Sequence, residues 1–169
     1  FRLEKSVIEA EIEVLKAMGI EFKCGIEVGK DISLDDLRNE GYEAFYVAIG
    51  AQGSRKLNIP GEENEMVESG IDFLRKVNKT EDPNLISGDV VVVGGGNVAI
   101  DVARAALRSG AEKVHLYSLE QEAEMPASFE EVQEAKEEGI ILHCGWGPKE
   151  ILEDSIVFKQ CVSVKDETA

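Results

Sequence analysis

Four consecutive β-branched residues, Val90-Val91-Val92-Val93, lead directly into Gly94-Gly95-Gly96-Asn97-Val98-Ala99. An uninterrupted run of this kind is the pattern of a strand buried on both faces, as in the centre of a parallel sheet. Asn97 to Ser109 reads as a helix, with Gly110 as its C-terminal stop. Val114-His115-Leu116-Tyr117 reads as a second strand. Strand, turn, helix and strand span about 28 residues, close to the roughly 30 of a dinucleotide-binding βαβ unit. The predicted fold is therefore α/β, a Rossmann-like parallel sheet with helices on both faces.

The turn matches G-x-G-x-x-A in the strand-to-helix context that gives this spacing its meaning. Gly94 permits a tight exit from the strand. Gly96 lacks a Cβ, so the backbone can approach a pyrophosphate. Ala99 is small enough for the helix to pack closely on the strand. The first helical N–H groups, with the dipole behind them, face the phosphates. The expected cofactor-binding residues are thus Gly94, Gly95, Gly96, Asn97, Val98 and Ala99. For Asn97 the roles of phosphate donor and helix cap both stay open. Asp101 either lies near the nicotinamide or complements the helix dipole.

The end of the second strand separates NAD from NADP. A carboxylate there accepts hydrogen bonds from the ribose 2′-hydroxyl, whereas arginines hold a 2′-phosphate. Tyr117 is followed by Ser118, Leu119 and Glu120, and Glu120 lies 21 residues beyond Ala99. No basic residue occurs between His115 and Met125. Ser118 and Glu120 join the expected binding residues, and NAD(H) is the preferred cofactor over NADP(H). His115 reads as a strand residue rather than a phosphate ligand.

Elsewhere the chain alternates short helical and strand-like segments. Ile8, Ile12 and Leu15 mark a helix over Lys5–Met18. Ile20–Cys24 and Ala44–Ile49 read as strands, with a short helix after Ser33 between them. Ala51–Glu65 reads as a linker, Gly70–Val77 as a helix and Lys79–Gly88 as a loop. Ser128 and Glu131 form a capping-box pattern for a helix to Glu138, followed by strands at Ile140–Cys144 and Ile156–Val164. The net charge of −16 opposes contact with nucleic acid or anionic membranes. Three dispersed cysteines without a C-x-x-C spacing give no support for a metal or iron–sulfur site within the chain. Their odd number suits a reducing, cytoplasmic setting.

Val90–Arg108, VVVVGGGNVAIDVARAALR, resembles the pyridine-nucleotide motif of the glutamate synthase small-subunit family and is similar to that of adrenodoxin-reductase-like flavoproteins. Phe1-Arg2-Leu3, Phe45–Ala51 (FYVAIGA), Leu57–Glu62 (LNIPGE) and Glu124–Ala127 (EMPA) extend the likeness over most of the chain. The resemblance implies a glutathione-reductase-type NAD(P) domain inserted into an FAD domain. On that basis 1–55 is the remnant of the FAD-domain segment with the start of the linker, and 56–169 is the NAD(P) domain, incomplete at its C-terminal end. It also implies hydride transfer from nicotinamide to FAD, then electron flow to iron–sulfur centres or an amidotransferase partner. Gly50 and Ala51 border the cofactor cleft by the same resemblance.

Two departures refine these expectations. The family commonly carries an arginine pair where Ser118-Leu119 stand, which favours NAD(H). No FAD-type glycine motif and no N-terminal cysteine cluster occur in the chain, so it reads as an internal piece of a longer reductase that binds no FAD alone. The rival readings are a non-catalytic NAD-binding sensing or interaction domain and a substrate-specific dehydrogenase. The last lacks an evident proton donor, since His115 and His143 both lie in strand-like runs.

Overall fold

A computed structural model describes residues 3–51, 53–80 and 82–164. Phe1 and Arg2 of the Phe1-Arg2-Leu3 motif, Gln52, Glu81 and 165–169 lie outside the described residues. The chain divides into two compact units, Phe1–Ala51 and Gln52–Ala169.

In the first unit, α1 (Lys5–Ala17) follows the predicted helix, with Gly19 at φ 91° just beyond it. Helix α2 (Leu34–Asn39) starts at a complete capping box. Ser33 Oγ accepts the Asp36 N–H, and the Asp36 carboxylate accepts the Ser33 N–H. The two expected strands do not form. Ile20–Cys24 and Ala44–Ile49 have no ladder partner among the described residues, whose only bridge in this unit is Val28–Ile32. Tyr46, Val47 and Ile49 are 94%, 73% and 81% exposed, so this apolar run is not a buried strand. A strand is defined by bonds to its neighbours, and apolar β-branched residues cannot supply those bonds themselves.

The second unit contains α3 (Gly70–Lys79), β1 (Asp89–Val93), α4 (Asn97–Arg108) and β2 (Lys113–Ser118). After a single 3₁₀ turn come α5 (Phe129–Glu137), β3 (Ile141–Cys144), β4 (Trp146–Ile151) and β5 (Ile156–Gln160). Strands β1, β2 and β3 lie in that order, all parallel, with Val90 opposite Val114 and Leu116 opposite Leu142. This is the expected α/β parallel sheet, but the central strand is β2: the valine run, expected to be buried on both faces, forms the edge strand β1, with Val92 buried and Val91 40% exposed. On β2, Val114, Leu116 and Ser118 are buried, alternating with the part-exposed His115 and Tyr117. Val114 and Leu116 join Ile100, Ala103 and Ala106 of α4 in the core. Each fully buried aliphatic of this kind contributes roughly 2 kcal/mol.

The second sheet face is covered by a hairpin. Strands β4 and β5 pair antiparallel, and Phe158 stacks on Tyr117 with ring centroids 3.8 Å apart. Tyr117 also stacks on His143, whose Nε2 lies 3.0 Å from His115 Nδ1. Burial, and then the neighbouring His115, hold the His143 imidazole below its usual pKa. Strand β4 has no counterpart in the sequence reading, because Trp146-Gly147-Pro148 breaks the alternation by which strands are recognised. The expected linker is clipped onto this hairpin. Leu57 and Asn58 donate their N–H groups to the Glu62 carboxylate at 2.6 and 2.7 Å, and Ile151 N–H donates to Pro60 O at 2.8 Å. A Cβ on Gly61, where φ is 82°, would fall 1.9 Å from Ile151 O. Among the described residues no helix is long and apolar enough to cross a membrane.

Helix α5 is fastened to α4 by charge. Arg104, 6% exposed, reaches Glu131 at 3.1 Å, Glu134 at 2.7 Å and Glu138 at 2.6 Å. Arg108 reaches Glu138 at 2.5 Å. The Arg108 and Arg104 hydrogen bonds lower the Glu138 carboxyl from 4.5 to about 2. A carboxyl lowered on folding adds stability that is complete above its unfolded pKa and is lost as pH falls through its folded value. The shift corresponds to on the order of 3 kcal/mol. Glu138→Gln is therefore expected to lower the urea midpoint at neutral pH. The two midpoints should converge as pH falls below about 4.5, and a constant gap down to the acid limit would contradict this assignment.

Candidate functional site

Strand β1 passes into the glycine turn without losing its ladder, since Gly94 N–H still donates to Tyr117 O at 2.9 Å. Gly94 then takes φ 145°, and a Cβ there would lie 3.1 Å from Ala99 Cβ. Small residues at both positions let the first turn of α4 press against the strand end. Gly96 is the N-cap. Its carbonyl accepts from both Ala99 and Ile100, at 2.9 and 3.2 Å. The N–H groups of Asn97 and Val98 are thus left without an acceptor inside the helix and point along its positive end. A Cβ on Gly96 would meet nothing within 4 Å, so the space beside it is open.

Gly95, the glycine without a role in the spacing rule, is crowded instead. A Cβ there would lie 2.5 Å from Glu120 Oε2 and 3.2 Å from Ser118 Cβ. The missing side chain lets the Glu120 carboxylate lie against the turn. Its backbone is fixed from two sides, because Ser118 Oγ and Gly145 N–H both donate to Glu120 O at 2.9 Å. Ser118 is 1% exposed, so its hydroxyl shapes the loop from beneath. Leu119 leans on Gly147, where a Cβ would come within 2.6 Å of its Cδ2.

A third segment reaches the turn. Ala127 N–H donates to Gly95 O at 3.0 Å, and Ser128 N–H donates to Asn97 Oδ1 at 2.9 Å. Met125 is buried with its sulfur 4.0 Å from Cys144 Sγ. The EMPA stretch therefore docks on the glycine turn, a link that neither spacing nor periodicity signals. It also changes the reading of Ser128. Its Oγ accepts the Glu131 N–H at 3.4 Å, as a capping box requires, while its own N–H is directed to Asn97. The Asn97 side chain is thereby an acceptor for α5, and the cap of its own helix is Gly96.

Of the expected residues, Gly94, Gly95, Gly96, Asn97, Val98, Ala99, Ser118 and Glu120 come together around one helix N-terminus. Asp101 is half-buried farther along the first turns of α4. Gly50 and Ala51 lie at the end of the other unit, Gly50 with φ 70°. Among the described residues no group of three or more His, Cys, Asp or Glu side chains is placed to hold a metal ion.

The chain is 38% identical over 169 residues to the NADP(+)-dependent formate dehydrogenase subunit beta of Moorella thermoacetica, covering 98% of this chain and 24% of that protein. It is 37% identical over 150 residues to the glutamate synthase [NADPH] small chain of Escherichia coli, covering 83% of this chain and 32% of that one. The chain thus spans about a quarter to a third of these relatives. The fold is that of Mycobacterium tuberculosis FprA, solved in complex with NADPH. The TM-score is 0.77 at 20% identity, with 97% of this chain and 53% of that chain covered. The profile of the pyridine nucleotide-disulphide oxidoreductases matches residues 8–169, and the chain belongs to that family.

Proposed function

We propose that this chain is the NAD(H)-binding module of a flavin-dependent oxidoreductase resembling the glutamate synthase small subunit. The observation that carries the reading is the pairing of an open helix N-terminus at Gly96 with a carboxylate laid against Gly95. The turn fits a pyrophosphate, because the N–H groups of Asn97 and Val98 open helix α4 without an acceptor inside it and a Cβ on Gly96 would meet nothing within 4 Å. Gly94 and Ala99 hold the helix at the height this requires. Glu120, steadied by Ser118, is placed to accept hydrogen bonds from a ribose hydroxyl. Ser118 and Leu119 offer no cation to a 2′-phosphate, which supports NAD(H) over NADP(H). A bound nicotinamide supplies hydride to a flavin; the work of these residues is to bind and orient its dinucleotide.

On this reading 1–55 belongs to a flavin domain and 56–169 to the NAD(P) domain. By the same resemblance, Gly50 and Ala51 are assigned to the border of the cofactor cleft. The exposed run Ala44–Ile49 suits a strand whose partners lie in the rest of that flavin domain. Residues 1–55 contain no G-x-G turn, so the FAD pyrophosphate is assigned to residues outside this chain. Electrons pass onward to an iron–sulfur or amidotransferase partner.

Full-length protein carrying this chain should be yellow and should bleach on addition of NADH. A colourless protein that binds NADH without reacting would establish the rival sensing role. The 169-residue chain alone should bind NADH without diaphorase turnover. Titration should give clearly tighter binding of NADH than of NADPH, and the reverse order would remove the role assigned to Glu120.

The turn glycines separate folding from binding. Gly94→Ala places a side chain in a left-handed conformation against Ala99 and should cost about 1–3 kcal/mol of stability. Gly96→Ala meets no protein atom and should leave the melting temperature within about 2 °C, while weakening NADH binding by at least about tenfold through the loss of close approach. Unimpaired NADH binding by Gly96→Ala would show that the phosphates lie elsewhere.

A further inference from the structure

We infer that Asn97 is a positioning residue whose side-chain oxygen, by accepting the Ser128 N–H, fastens the glycine turn to helix α5 and so sets the turn's affinity for nucleotide. The inference rests on the nucleotide site proposed above. It assigns the Asn97 side chain to the protein and leaves only its backbone N–H for the phosphates.

Three observations support it independently. The first is direct geometry: Ser128 N–H to Asn97 Oδ1 is 2.9 Å, between residues 31 apart in sequence. The second is a contrast within the chain. At α2 the N-cap Ser33 keeps its N–H within its own capping box, donating to Asp36. At α5 the equivalent N–H goes to another helix, and Glu131, the acid that a box would use, is engaged by Arg104 at 3.1 Å. The third is a parallel contact one residue away, Ala127 N–H to Gly95 O at 3.0 Å. Two adjacent amides of the α5 approach thus grip two alternate residues of the turn, one through backbone and one through side chain.

The consequence for the site is geometric. The N–H groups of Asn97 and Val98 can face a phosphate only while Gly95 and Gly96 hold their conformation. Glycine carries the least conformational restraint of any residue, so three in succession do not hold a shape unaided. The grip from α5 supplies that restraint. Helix α5 is itself anchored to the middle and end of α4 by Arg104 and Arg108. The turn is therefore braced through a closed loop: α4 to α5 by the ion pairs, and α5 back to the start of α4 by Ser128 and Asn97. A turn braced in this way has less ordering to complete when a ligand binds.

The test uses full-length protein and three readouts. Asn97→Ala should raise the Kd for NADH by about tenfold, the scale of one net hydrogen bond. It should act on KM far more than on the flavin-reduction rate at saturating NADH. Hydrogen exchange at the Ala127 and Ser128 amides should also become faster, because their acceptor side has loosened. Ser128→Pro removes the donor at a φ of −64°, which proline matches. Measured against Ser128→Ala, it should weaken NADH binding to a similar degree. The Asn97→Ala/Ser128→Pro pair should be no worse than either alone. If Ser128→Pro does not fold, Asn97→Ala with the exchange readout decides. Weaker binding without faster exchange at Ala127 and Ser128 would mean that Asn97 touches phosphate directly, and the inference would fall. Unchanged NADH affinity in Asn97→Ala would overturn it as well. Failure of the unaltered protein to bind NADH would remove the nucleotide site itself, and the inference with it.

Discussion

Everything in the second unit depends on how close α4 can come to the β1–β2 edge of the sheet. The contact is made by small residues. Gly94 and Ala99 meet at the turn, and Ala103, Ala105 and Ala106 are at most 2% exposed along the helix. A helix so rich in buried alanine contributes little side-chain volume of its own. Its stability comes from what lies on either side: Val114 and Leu116 from the sheet, and Phe73 of α3 together with Val132 and Ala135 of α5. The same closeness that fills the core places the helix N-terminus just beyond the strand end, so packing and ligand approach share one geometric cause.

Charge is organised around that helix as well. The chain carries 34 acidic residues against 18 basic ones, yet the acids near α4 do different work according to place. At the far end, Glu131, Glu134 and Glu138 gather around Arg104, and their charge is spent on holding α5. At the near end, Glu120 lies against Gly95, beside the positive pole of α4, where a carboxylate is favoured. A phosphate would draw on the same pole. Their coexistence is possible because Glu120 approaches at Gly95, while the open space lies at Gly96. Adjacent glycines thus differ in role: Gly95 receives the Glu120 carboxylate, and Gly96 leaves open space at the helix N-terminus.

The β1–α4–β2 unit is legible in the sequence because its signals are local and agree with one another. A β-branched run, a glycine turn and a helix with a glycine stop each mark their own element. The failures share a cause as well. Ala44–Ile49 has the composition of a buried strand, but its pairing depends on neighbours that the described residues do not provide. Strand β4 forms against its composition, because β5 supplies the ladder and Phe158 the packing on Tyr117. Leu57–Glu62 reads as a linker by its proline and glycine, yet those residues fit it to Ile151. In each case the deciding partner is distant in the chain.

Ser128 shows how such a distant partner overrides a local motif. Its sequence context, S-F-E-E, satisfies the capping-box rule as well as S-L-D-D does at Ser33. The two diverge because α5 has a buried guanidinium beside it and α2 does not: among described residues Arg38 pairs with Asp35 on the surface of α2, whereas Arg104 is 6% exposed. Arg104 is already met by Glu134 at 2.7 Å and Glu138 at 2.6 Å, and Glu131 adds a third carboxylate at 3.1 Å. With the Glu131 carboxylate on Arg104, the Ser128 N–H donates to Asn97 Oδ1 instead of closing a capping box. The ion-pair cluster along α4 and the hydrogen bond at its N-terminus thus meet in α5, where Glu131 serves the first and Ser128 the second.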